Sequence, residues 1–387
     1  MHKNKKRDRL LLFILMLGIA VFLSCKQFNK MKDVRYGVNA TCAEGYGIDL
    51  YTGIFKSPEG EIIPILSQNL NGYWGMGGNS DAVGDGFDPL PNKLKLGFYS
   101  EVEDKFYEGE FDLPYEQLQQ MFEEENEDPF YKGKTFDDTQ SGKNLKYMKY
   151  DALNVGITIG GNVSVWISGT VSRQQKEIAH FKFDEAKKVK WEDVYPDRIL
   201  TRSESRKEDL DVLFSPKIKN EIETNTLPFD LWDSYRKKYN WRYVFEFPDG
   251  GKLDEFYLNY INAETDNIFS NNPRLNDDAY QMRALPYNLD IRLQNGKGDN
   301  YRAWIVSTES LQYLKQIYKG GAGDKYPDDF REEELYKIFQ TLDQNKPIDI
   351  IYKIATDYEN IKVVIKQGTI EKPYSKVTQW LMKNDKK

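Results

Sequence analysis

Histidine and cysteine are almost missing from this chain: two of each stand among 387 residues. His2 falls in a basic N-terminal stretch, which leaves His180 alone for imidazole chemistry. A Ser-His-Asp or Cys-His relay would have to use His180 with a nucleophile that no motif marks. Ile178, His180 and Lys182 alternate as in a strand and are expected to share a face, so a structural or partly exposed histidine is the stronger reading. One histidine and one thiol cannot supply the usual zinc set without two carboxylates, so neither metal nor cofactor is expected. Gly72 to Gly78 is no phosphate cradle, because the Lys-Ser/Thr pair and a following helix are absent. No catalytic residue is assigned.

Long apolar runs are scarce too, and the long one is at the start. Leu10 to Leu23 is unbroken and follows Lys3, Lys5, Lys6, Arg7 and Arg9. Fourteen residues are too few to cross a hydrocarbon core of roughly 30 Å, which takes about 20 residues, but they suit a secretory signal. Phe22-Leu23-Ser24-Cys25 looks like a lipobox, with residues 1–24 removed as signal peptide and Cys25 acylated. Residues 25–35 would then be a lipid-anchored tether. By resemblance to known lipoproteins, Lys26 lacks the aspartate that favours inner-membrane retention, and Lys26 to Lys32 lacks an acidic export cluster. The expected address is the outer membrane, facing the periplasm. With Cys25 on lipid, Cys42 has no disulfide partner and reads as a small buried hydrophobe in a strand.

Positive charge is in deficit over the remainder. Removing residues 1–24 takes five of the 54 basic groups and one of the 61 acids, leaving a body near −11. That argues against nucleic acid and against electrostatic docking on anionic lipid, and it suits a basic partner. The body exceeds one ordinary core, so two domains are expected, and 26 Tyr and 21 Phe can bury ample area.

What is present repeats itself. Tyr36 to Ala40, Glu44-Gly45 and Ile48 to Phe55 match Trp241 to Phe245, Asp249-Gly250 and Leu253 to Tyr260 at a constant offset of 205. Both stretches read as hairpins. Leu90-Pro91 to Leu96 with Phe106 to Phe111 matches Leu285-Pro286 to Ile291 with Tyr301 to Val306. Pro114 to Phe122 matches Ser310 to Tyr318 as a short amphipathic helix, and Val155 to Ile167 matches Ile350 to Ile365 as a hairpin. The fold class expected is α+β, mainly antiparallel β, in two tandem related units: residues 36–186 and a diverged 240–387. Each unit has hairpins with one packed helix, as a helix-covered sheet or a sandwich. Residues 187–239 read as a charged helical connector with helix starts at Ser215-Pro216 and Leu227-Pro228. Glu123 to Gly142 reads as a solvated loop.

Three stretches carry a family resemblance: Gly72-Tyr73-Trp74-Gly75-Met76-Gly77-Gly78, Leu90 to Phe122, and Leu153 to Gly169. On them, residues 36–185 resemble bacterial lipoproteins of the family called domain of unknown function 2931. The resemblance implies a lipoprotein context without an established activity. Some members look like neighbours of secreted antibacterial toxins, which implies periplasmic immunity as a role.

Remaining features have bland and sharp readings. Glu108, Glu110 and Asp112 alternate on a strand and read as an exposed acidic face. Asn79, Asp81, Asp85 and Asp88 faintly suggest calcium but miss the EF-hand ligand order. Tyr73 and Trp74 could form an exposed aromatic platform for a glycan or a protein, or Trp74 could cap the core. The preferred expectation is a non-catalytic protein-binding lipoprotein, an immunity factor with a basic, toxin-like partner. The alternative is a glycan-binding or glycan-cleaving envelope protein using Tyr73, Trp74 and paired carboxylates.

Overall fold

The computed structural model describes residues 33–66, 68–70, 72, 74–75, 86–270, 272–275, 278–308 and 333–384. The first unit carries β1 (Val34–Arg35), β2 (Gly37–Cys42), β3 (Ile48–Lys56), β4 (Ile62–Pro64), β5 (Gln68–Leu70), β6 (Phe87–Asp88), β7 (Lys93–Ser100), β8 (Lys105–Asp112), β9 (Thr135–Asp138), β10 (Lys143–Lys146), β11 (Ala152–Thr158), β12 (Asn162–Ser168) and β13 (Gln175–Lys182). The second carries β14 (Tyr239–Glu246), β15 (Lys252–Tyr260), β16 (Thr265–Ile268), β17 (Gln281–Arg283), β18 (Pro286–Gln294), β19 (Asn300–Ser307), β20 (Ile348–Ile354), β21 (Ile361–Gln367), β22 (Ile370–Tyr374) and β23 (Val377–Asn384).

Each unit is a two-layer sandwich, α+β in class and mainly antiparallel. In the first, β2-β11-β12-β13 face β4-β3-β7-β8, and Cys42, Val155 and Val165 meet Leu50, Leu94 and Phe98 in one core. In the second, β17-β14-β20-β21-β22 face β16-β15-β18-β19-β23, with Trp241, Ile350 and Ile365 against Phe256, Leu289 and Ala303. Strand order corresponds between the two. The parallel pair β2–β11 has its counterpart in β14–β20, and the antiparallel series β3-β7-β8 in β15-β18-β19. The helix Tyr115–Phe122 packs Leu118 and Phe122 into the first core. Its expected counterpart, Ser310 to Tyr318, lies outside the described residues.

Three local expectations need correction. The strands flanking Glu44-Gly45 and Asp249-Gly250 are not hairpins, because each chain segment crosses from one layer to the other. In the first crossing Ala43, Glu44 and Tyr46 are themselves buried, which a tight surface turn could not achieve. Glu123 to Gly142 is not merely a solvated loop: β9 pairs with β10 through Leu145 opposite Phe136. Leu227-Pro228 starts no helix. The helix there is Leu231–Tyr235, preceded by a turn in which Leu231 N–H donates to Pro228 O. Ser215-Pro216 does start one, with the Ser215 hydroxyl capping Ile218 N–H.

The two sandwiches share their longest sheet. β13 pairs with β16 at Gln175 and Thr265, which makes nine continuous strands. Side chains stitch the joint: Trp166 Nε1–H donates to Asn262 O (3.2 Å), and Gln175 Nε2 donates to Gly75 O (2.5 Å) and Ala263 O (2.6 Å). Gly75 has φ +68°, and a Cβ there would lie 2.1 Å from Ala263 Cβ, so only glycine lets the two loops touch. The connector docks on the first sandwich. Tyr195 donates to Asp49 (2.6 Å), Tyr46 to Glu221 (2.6 Å), and Arg206 to Glu101 O (2.8 Å).

Candidate functional site

Short-range sequence signals build a cleft at one end of the first sandwich. β1 and β6 form a two-stranded ribbon beside the helix Tyr115–Phe122, and the β9–β10 hairpin stands opposite. Ser141-Gly142 turns that hairpin, with Gly142 at φ +68°. Asp138 receives the Ser141 hydroxyl at 2.5 Å, which lowers its carboxyl from the ordinary range, and it pairs with Arg35 of β1 at 3.3 Å. The Lys143 ammonium sits 3.9 Å from the centre of the Phe87 ring. Those two contacts clamp the hairpin to the ribbon.

Between these walls lies a cavity of about 950 Å³, a size that suits a side-chain-rich ligand segment. Phe87, Phe122, Phe136, Leu145, Tyr147 and Met148 line it, and the wall is stiffened by Phe136 and Tyr147 rings 4.8 Å apart. Its rim is acidic. Asp33, Glu116, Glu123 and Asp151 face it against Arg35 and Lys146, and those two cations are already paired with Asp138 and Glu125. Asp151 accepts from Thr170 N–H (2.8 Å) and Oγ1 (3.0 Å), yet burial pushes its carboxyl above the ordinary value. A carboxyl held toward its neutral form at the edge of a cleft of this size is a feature of ligand and catalytic sites.

A family model matches residues 25–230, more than half the chain. The chain belongs to the family described as "Protein of unknown function (DUF2931)". The match holds the whole first sandwich and the cleft, and it runs past the expected limit at residue 185 to take in most of the connector. That extension follows the packing, since the connector's polar anchors Asp49, Glu101 and Tyr46 all belong to the first sandwich. No curated protein and no solved structure matches.

Other sequence candidates in this DUF2931 chain fall apart from the cleft. Cys25 and Tyr73 lie outside the described residues, as do Asn79, Asp81 and Asp85. Trp74 is 4% exposed, its edge against Trp166 with centroids 4.9 Å apart, so it offers no face to a sugar. Trp74 itself takes the core-capping reading, since it packs on Trp166 and its neighbour Gly75 meets Ala263 at the inter-sandwich joint. Asp88 is in β6, opposite Val34. Glu108, Glu110 and Asp112 are exposed along β8, with Lys93 3.5 Å from Glu110 and 3.3 Å from Asp112. Among the described residues no group of three His, Cys, Asp or Glu side chains is placed to hold a metal. Cys42 is fully buried in β2 and accepts Gly72 N–H at 3.0 Å.

His180 does join a serine and an aspartate: Ser164 Oγ is 3.1 Å from Nδ1, and Asp233 Oδ1 is 3.0 Å from Nε2. Distances alone would allow a relay, but access does not. Ser164 is 2% exposed in mid-strand, so no carbonyl can reach its oxygen. A bulge between Val165 and Trp166 also separates His180 from Ile178, which packs on the sandwich core. Burial first, then Arg236, lowers the imidazole's proton affinity, so the ring acts as a neutral strut between the sheet and the helix Leu231–Tyr235.

Sequence reading missed the cleft residues. Phe136 and Leu145 each stand three residues outside the four-residue turn Thr139 to Gly142, which is a hairpin signal. The acid run before it outweighed that signal.

Proposed function

We propose that this DUF2931 protein is an envelope lipoprotein, acylated at Cys25 on the outer membrane and facing the periplasm, that binds a basic segment of another protein without catalysis. The acid-rimmed apolar cleft carries this reading: its aromatic floor suits an anchoring side chain and its carboxylates suit lysine or arginine around it. The equal strand order of the sandwiches supports an origin by duplication of one unit, with the cleft kept on the first. Neutralising a secreted toxin is the form of this function that the family resemblance favours.

Two experiments test it. Palmitate labelling of the expressed chain is expected to vanish in Cys25→Ala, and unchanged labelling would remove the anchor. A photo-crosslinking residue at Gln120, on the cleft wall, is expected to capture a basic envelope protein in a salt-sensitive way. The same probe at exposed Glu59, away from the cleft, is expected to capture none. Equal capture at both positions would remove the cleft from the reading.

A second reading, glycan binding or cleavage, draws on Asp151, whose half-buried carboxyl could serve as an acid. Release of reducing ends from envelope glycan, abolished in Asp151→Asn, would favour it over the first.

A further inference from the structure

Residues 26–32 hold three cations, no acid and two large apolar side chains, Phe28 and Met31. Asp33, Val34 and Arg35 follow them directly, and all three line the acid-rimmed cleft. Val34 opposite Asp88 and Arg35 opposite Phe87 fix that point of entry in the ribbon. An extended chain advances at most about 3.6 Å per residue, so Met31 stays within roughly 7 Å of Asp33 and Phe28 within roughly 18 Å.

The cleft is the chemical complement of that segment. Phe87, Phe122, Phe136 and Tyr147 give its wall an aromatic surface for a phenyl ring and a thioether. Arg35 and Lys146, its two cations, are spent on Asp138 (3.3 Å) and Glu125 (2.8 Å). Asp33, Glu116 and Glu123 are exposed on the rim, and among the described residues no cation pairs with them. Lys143, set on the Phe87 ring, offsets one of these charges, and half-buried Asp151 adds a further carboxyl. The balance stays acid, and the rim carboxylates are open to a ligand.

We propose that residues 26–32 of the same chain are a resident ligand of the cleft, with Phe28 and Met31 on the aromatic wall and the lysines at Glu116 and Glu123. Covalent attachment beside the cleft decides for this occupant. A ligand on a short tether is present at a millimolar effective concentration, so a few surface ion pairs and a buried ring suffice to hold it. The inference rests on the reading of the cleft as a site for a basic segment. It adds the regulation of that site, because a partner of the same chemistry must displace residues 26–32 to enter.

Replacing Phe28 by the photoreactive p-benzoylphenylalanine in the expressed full chain tests the contact. Irradiation is expected to give an intrachain adduct on the helix Tyr115–Phe122 or the β9–β10 hairpin. Its yield should fall several-fold in Glu116→Lys with Glu123→Lys, both at exposed positions that folding does not need, and return when Lys30→Glu and Lys32→Glu are added. Adducts on a second chain, on lipid, or on the cleft with no response to these charges would overturn the inference. Where the probe at Gln120 captures a basic protein, Phe28→Ser is expected to raise that capture several-fold, and an unchanged yield would also overturn it. The two readings fail separately. An intrachain adduct without capture at Gln120 keeps the resident segment and removes the partner, and capture without the adduct does the reverse.

Discussion

The last strands of the two sandwiches correspond in order but meet opposite fates. β13 closes the first sandwich's layer and continues into β16, so its edge is used inside the molecule. β22 holds the equivalent place in the second and lies at the end of its five-stranded sheet, with Pro373 in the strand. A proline removes an edge donor and discourages further pairing. After β13 the chain meets β8 through the bridge of Glu185 to Tyr107 and the Phe183 ring on Phe111 (4.8 Å), and among the described residues it forms no strand there. After β22 it forms the full strand β23 along β19, where Trp380 stacks on Trp304 at 4.8 Å. The first sandwich is thus open at its cleft and committed at its edge, and the second is extended by a strand. The lesson is a division of labour: one unit carries the acidic cleft, and the other contributes half of the joint.

Breaking the joint should have the largest effect. Gly75→Ala would place a methyl 2.1 Å from Ala263 Cβ at φ +68°, which combines overpacking with a left-handed backbone penalty. A loss of roughly 3 kcal/mol is expected. Gly60→Ala is the control: φ is +90° there too but nothing lies within 4 Å, so about 1 kcal/mol is expected. Urea unfolding measures both. If the joint couples the sandwiches, Gly75→Ala should also lower amide protection in β15 and β16 while β7 keeps its own. Equal midpoint shifts in the two variants would show that the joint is not under steric control.

An effect no larger, and confined to a pH window, sharpens the contrast by acting on the first sandwich and its connector alone. Burial first, then the neighbouring Asp209 and Asp49, pushes the Glu101 carboxyl up to about 7, against Arg198 and Arg206. Its folded-state proton affinity is raised, so the associated stability is complete below the unfolded carboxylate value and is lost as pH rises through about 7. Glu101→Gln keeps a neutral group at every pH. Relative to wild type it should gain up to roughly 3 kcal/mol between pH 5 and pH 8. His180 is lowered, so its contribution runs the other way, complete above the ordinary histidine value and falling as pH drops. The difference between the two Glu101 forms isolates one slope from the other. A flat difference in urea stability across that range would show that Glu101 is ionised without penalty.

Much of this architecture was legible in the sequence, and the failures share one cause. Alternation located β7, β8, β11 and β12, because each strand's burial is decided by its own side chains. The Ser215-Pro216 start was readable for the same local reason. Layer crossing at Glu44-Gly45 was not, since a Gly turn looks alike whether the next strand pairs at once or crosses the core. Trp74 needed knowledge of a partner surface more than ninety residues away, where Asn262 and Ala263 meet the joint. The cleft needed five separate segments, from β1 to Thr170, to be brought together, and no single motif announces that.

The smallest expected effect bears on the cleft itself. Arg35 and Asp138 form a half-exposed pair, 33% and 6% accessible at their side chains, so its loss should cost about 1 kcal/mol or less. Global stability should hardly move in Arg35→Ala. The hairpin, however, is held by few contacts, and a local opening free energy lowered by about 1 kcal/mol raises the open population about fivefold. Trypsin cutting after Lys143 and Lys146 should accelerate by that factor, with no change after lysines of β21 in the second sandwich. If the cleft is where a basic segment docks, adding that partner should suppress the extra cutting, because a ligand spanning helix, ribbon and hairpin replaces the clamp that Arg35 supplied. Acceleration spread evenly over the chain would mean that the clamp supports the whole fold and the cleft has no independent wall to close.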